Sequence, residues 1–192
     1  MKKTTIALKR TLKLTLTLAL AAVSSGALAH TGEGAHAHGF LAGFTHPFTG
    51  LDHLLAMLAV GAWSVRQPNA KWLPATFVGM LLIGMASGAL GLSIPGLETG
   101  IALTVALLGV LLVAAARLPA AAGAVMVSVF AILHGNAHGQ ELPQAISAGG
   151  LLIASLLLVY GGSLLGRVSP ALAVKASGAA IAATGLMLVA TA

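Results

Sequence analysis

FTHPFTGLDHLLAMLAVGAWSV, residues 44–65, is long and apolar enough to cross a bilayer, yet it carries His46, Asp52 and His53. A spanning helix needs about 20 predominantly apolar residues. An aspartate at the centre of such a helix costs roughly 2.5–3.5 kcal/mol on insertion scales. Ionisable residues in such a place face a cavity or a partner and mark a route through the membrane.

The rest of the chain agrees that lipid is the solvent. Of 192 residues, 58% are hydrophobic and only 7% charged, against about 25% charged in a soluble domain. No cysteine is present, which excludes disulfides and thiolate metal sites. The net charge of +6 is misleading, because Lys2, Lys3, Lys9, Arg10 and Lys13 crowd the N-terminus. No basic stripe survives beyond them, so nucleic-acid binding is not expected.

Residues 1–29 read as a signal peptide: a basic start, an apolar stretch from Leu14 to Val23, and Ala27-Leu28-Ala29 as a small-residue cleavage site. Cleavage after Ala29 leaves His30 at the mature N-terminus. Residues 30–39 form a short periplasmic tail, and 40–192 a transmembrane domain. Six spans are expected, at about 44–65, 72–92, 97–116, 119–139, 144–166 and 170–191, separated by Pro-, Gly- and Arg-containing breaks. The fold class is therefore an all-α, multi-pass integral membrane protein of the bacterial inner (cytoplasmic) membrane.

Orientation follows from charge. Arg66, Lys71, Arg117 and Arg167 fall in the odd loops, and Lys175 can snorkel to the same side. The even loops hold Glu98 and Glu141 instead. The positive-inside rule makes the odd loops cytoplasmic and both mature termini periplasmic. Trp63 and Trp72 flank the first cytoplasmic loop, as interfacial anchors do. Glycine is frequent, including Gly84 and Gly88 in GMASG, Gly161-Gly162 and Gly178, which suits close helix packing in lipid.

Two polar clusters lie at one depth and could meet. His46 and His53 are seven residues apart and share a helical face, with Asp52 beside them and Pro47 suited to a first helical turn. In LHGNAHGQE, residues 133–141, His134 and His138 are an i, i+4 pair and Glu141 follows at i+7. The first span runs inward and the fourth outward, so both clusters lie toward the outer face. Imidazoles with carboxylates suit a divalent transition metal. Met57 could add a thioether. The tail residues His30, Glu33, His36 and His38 form a His-rich tract that could collect metal outside. The inner halves of the spans offer only Met80, Met85, Ser87, Thr104 and Ser128 as polar or soft groups, and GMLLIG (79–84) resembles GLLIAS (150–155) too weakly to argue a repeat.

His46-Pro47-x4-Asp52-His53, paired with His134-Gly135-x2-His138-Gly139-x-Glu141 and six spans behind a signal peptide, resembles the HupE/UreJ family. Leu133 stands where that family is expected to carry an aromatic residue. The resemblance implies secondary uptake of nickel or cobalt, serving hydrogenase or urease maturation. It implies His46, Asp52, His53, His134, His138 and Glu141 as metal ligands. The metal is cargo, and no prosthetic group is expected. A homo-oligomer and a functional link to hydrogenase or urease accessory proteins are left open. No Walker A motif is present, so no ATP motor is expected. The residues alone leave two rivals: an intramembrane zinc-dependent hydrolase, and a metal sensor that binds without transport.

Overall fold

The computed structural model describes residues 39–68, 71–142 and 144–192. The expected signal peptide and the histidines and glutamate of the tail lie outside the described residues. Among the described residues there are seven helices and no strand: α1 (Phe40–Thr49), α2 (Leu51–Ser64), α3 (Leu73–Ala89), α4 (Leu97–Val113), α5 (Ala120–Glu141), α6 (Ala145–Val168) and α7 (Ala171–Val189). In lipid a helix satisfies its own backbone polar groups, so an apolar sequence of this kind has few alternatives.

By length and composition α5, α6 and α7 can each cross a membrane; α2, α3 and α4 are apolar but shorter. At 1.5 Å per residue the 17 residues of α3 or α4 extend about 26 Å, a little under the apolar thickness of a bilayer. Leu82, Ile83, Leu103, Val125, Leu157 and Leu164 face outward from the bundle. Water would penalise so continuous an apolar exterior.

The first expected span departs from the sequence reading. It begins at Phe40 and is two helices, with Gly50 between them in an extended conformation (φ −82°, ψ 112°). Pro47 sits inside α1, not in a first helical turn. A proline there has no N–H to donate and crowds the carbonyl one turn back, so the helix stops within a few residues. Trp63 also departs from expectation. It is buried, and its indole N–H donates to the Ala116 carbonyl at 3.1 Å; only Trp72 is exposed as an interfacial anchor would be.

Glycines set the packing. A Cβ on Gly84 or Gly88 would strike the backbone of α5 at Ile132 or Asn136, and one on Gly135 or Gly139 would strike α3. Gly61 and Gly162 do the same between α2 and α6, and Gly109 and Gly185 between α4 and α7. The three closest helix pairings are thus α3 with α5, α1–α2 with α6, and α4 with α7. Exchanging α1–α4 for α5–α7 in chain order, with α1 and α2 taken together, turns the first pairing into the second and the third into itself. That is the pattern a 3+3 inverted repeat would give, an arrangement compatible with the opposite directions expected of the first and fourth spans but without support from sequence similarity. The core between the layers holds Met57, Val60, Phe77, Leu81, Leu108 and Val127, all fully buried.

Candidate metal centre

The break at Gly50 brings the first motif together. Over a straight helix seven residues rise about 10 Å. Here the His46 and His53 rings lie 6.2 Å apart, centre to centre. Asp52 falls in the first turn of α2, where the positive end of the helix favours a carboxylate. Its Oδ1 accepts from the His53 backbone N–H at 2.9 Å and from the His53 ring Nδ1–H at 2.7 Å. In the neutral ring that contact puts the proton on Nδ1 and leaves the lone pair on Nε2.

The second motif lies on one face of α5, which continues to Glu141 as the spacing requires. His134 and His138 are both fully buried. His134 is oriented from α4. The Thr104 hydroxyl donates its single proton to the Ile101 carbonyl at 2.7 Å. It can therefore only accept from the His134 Nε2–H, 2.9 Å away, which leaves the His134 lone pair on Nδ1. Thr104 was expected among inner-half groups; it belongs to the cluster instead. Ser87 moves likewise. It accepts, at 2.8 Å, from the side-chain amide of fully buried Asn136, which also donates to the Leu92 carbonyl at 2.8 Å. Asn136 therefore ties α5 to the end of α3 between the two histidines.

The motifs meet side chain to side chain, although α2 and α5 are not among the close backbone pairings. His46 Nε2 lies 2.8 Å from Glu141 Oε2. Ring centres are 5.0 Å apart for His46 and His138, 4.2 Å for His53 and His138, and 5.0 Å for His53 and His134. The result is a ladder of candidate ligands. Its outer rung, His46 and Glu141, keeps 28% and 35% of its side-chain surface exposed. His138 and His53 follow, and His134 is innermost. Met57, one turn beyond His53, is fully buried in the apolar core.

Buried polar atoms nearly always have partners. Four ring nitrogens here have none: His53 Nε2, His134 Nδ1 and both nitrogens of His138. Neutral imidazole lone pairs in a dry place are what a divalent transition metal binds. One ligand atom each from His46, His138 and Glu141 lie within 4.8 Å of one another. An ion about 2.1 Å from each would draw them to about 3–3.6 Å of one another, a side-chain adjustment of about 1–2 Å. Asp52 holds His53 through Oδ1, the kind of partner that orients a metal-binding imidazole.

Asn136 was legible in principle, since it lies inside HGNAH at a position facing neither lipid nor the histidine face. Thr104 carried no signal: it is one hydroxyl in an apolar run on a helix without a motif.

A family model described as "HupE / UreJ protein" matches residues 18–188. "Protein HupE" of Rhizobium leguminosarum bv. viciae is 42% identical over 185 residues, covering 91% of this chain and 97% of the relative. No solved structure matches. A membrane bundle carrying paired His/acid motifs, matched over nearly its whole length, belongs to the HupE/UreJ family, a family of nickel and cobalt permeases and not of enzymes.

Proposed function

We propose that this chain takes up nickel, or cobalt, across the bacterial inner membrane by passing the ion down the ladder of His46, Glu141, His138, His53 and His134. The observation that carries this reading is the set of unpartnered, buried ring nitrogens on three adjacent imidazoles. The exposed outer rung admits the hydrated ion. Each inward step trades water or an outer ligand for an imidazole whose lone pair is already aimed, so little reorganisation is needed. Asp52 and Thr104 hold the two inner rings in their binding tautomers.

The topology in this proposal has six spans, with α1 and α2 forming one broken span and the termini periplasmic after removal of residues 1–29. Broken helices at an ion site are a recurring transporter device. In this reading the fully buried core that includes Met57, Phe77 and Leu108 closes the way past His134. Inward release then requires the two triples of spans to rock against each other. The membrane potential drives a cation inward with about 2.3 kcal/mol per charge per 100 mV. The tail residues His30, Glu33, His36 and His38 serve as an external collector, and the delivered metal supplies hydrogenase or urease maturation.

The test is radioactive nickel uptake into proteoliposomes under an imposed potential. Wild-type protein is expected to accumulate nickel, while Asp52→Ala and His138→Ala insert normally and do not. Binding without accumulation by the wild type would favour a sensor. Wild-type uptake by both variants would refute the site.

A further inference from the structure

The end of the bundle opposite the ladder carries its own unexplained chemistry. A cavity of about 320 Å³ opens there between α2, α4 and α7. Arg66, Arg117 and Lys175 line it, against a wall of Trp63, Leu112 and Val174. Arg66 is held in place by Nη2, which donates to the Gly166 carbonyl at 2.9 Å, but its buried Nε–H has no partner. Among the described residues no carboxylate neutralises the three cations. Glu33 lies outside the described residues, Asp52 and Glu141 belong to the ladder, and Glu98 begins α4 at its far end.

Backbone geometry adds to the positive field. Ala171, the first residue of α7, lines the cavity. The first N–H of that helix in use belongs to Val174, which donates to the Pro170 carbonyl. The N–H groups before it are the orphan donors that favour an anion at a helix start. Ala116, at the C-terminal end of α4, also faces the cavity. Its carbonyl is occupied by Trp63 and Gln67 and so is withdrawn from opposing an anion.

We infer that this cavity binds the phosphate group of an anionic phospholipid from the inner leaflet. The charge asymmetry of the loops explains why cations lie at this end; it does not explain why three converge on one cavity with a buried donor unmet. A lipid fits better than a free anion because the cavity is half apolar. The outer face of α4 also continues from it as Leu103, Leu107 and Val110, all exposed, where acyl chains would lie. Basic pockets between spanning helices on the cytoplasmic side are suited to such headgroups. The inference rests on α4 and α7 being membrane spans, and not on the metal site.

The test uses the full-length protein purified in detergent and native mass spectrometry. Phosphatidylglycerol, phosphatidylethanolamine and inorganic phosphate are each titrated in. Wild type is expected to retain phosphatidylglycerol in preference to the other two. The double variant Arg117→Gln/Lys175→Gln should hold it about tenfold or more weakly. A second double variant, Lys71→Gln/Arg167→Gln, removes the same charge at the same end but outside this cavity, and should retain it. Thermal unfolding of each variant in detergent checks folding. Equal retention of phosphatidylethanolamine, equal binding of inorganic phosphate, or equal loss in both double variants would overturn the inference.

Discussion

Thr104→Val tests whether the inner end of the ladder is set by its supporting hydrogen bond. The substitution keeps the shape of the side chain and removes one hydroxyl. In the wild type that hydroxyl sits 2.9 Å from His134 Nε2 and has its own proton committed to the Ile101 carbonyl. With valine the His134 N–H faces an apolar wall in a fully buried place, at a cost of about 1–3 kcal/mol. The ring relieves that cost by rotating or by moving its proton to Nδ1, and either removes the lone pair that faces His53. Losing the partner that orients a metal ligand lowers affinity by about 10–100-fold, or roughly 1.4–2.7 kcal/mol. Calorimetric titration of purified protein with nickel should show a loss of that size. Uptake should fall at limiting nickel and recover in part at saturation. Thr104→Ser keeps the hydroxyl and should restore most of the affinity. Wild-type nickel affinity in Thr104→Val would show that the hydrogen bond does not orient the ligand.

Gly88→Ala forces a methyl group against the Asn136 carbonyl, with Gln140 N only 3.0 Å from it. It should destabilise the protein by about 1–3 kcal/mol and weaken nickel binding by shifting α5. Gly79→Ala, on the same helix with nothing within 4 Å, should do neither; thermal unfolding in detergent compares the two. Ala115 ends α4 in the left-handed region (φ 50°), where its neighbour Ala116 closes the helix by donating to the Leu111 carbonyl. Glycine normally holds that position, so Ala115→Gly should raise stability by about 0.5 kcal/mol once the entropy of the unfolded chain is counted. A lowered melting temperature would contradict the strain argument. Deleting residues 30–38 should raise the nickel concentration needed for half-maximal uptake and leave the maximal rate unchanged.

The parts of this molecule that follow from local chemistry were legible in its residues. The His-x3-His spacing put His134 and His138 on one face, and Glu141 extended it because α5 continues that far. Helix positions for α3 to α7 followed from apolar runs and their proline and glycine breaks. What was hidden depends on tertiary choice. Pro47 and Gly50 both permit a continuous or a broken helix in principle; the structure breaks it and so brings His46 near His53. Trp63 has the composition of an interfacial anchor, and only the position of the Ala116 carbonyl draws its indole inside. Thr104 acquires a role through a helix that no motif connects to α5. The pairing of α3 with α5 and of α2 with α6 depends on which glycine faces which backbone, and sequence spacing alone does not state that.

Nickel-edge X-ray absorption of the metal-loaded protein tests the ladder most directly, because it counts the ligands around the ion. The account predicts a shell that includes at least two imidazole nitrogens, with one imidazole fewer in His138→Ala. An ion surrounded by water and carboxylate oxygen alone, or a shell unchanged by His138→Ala, would contradict it.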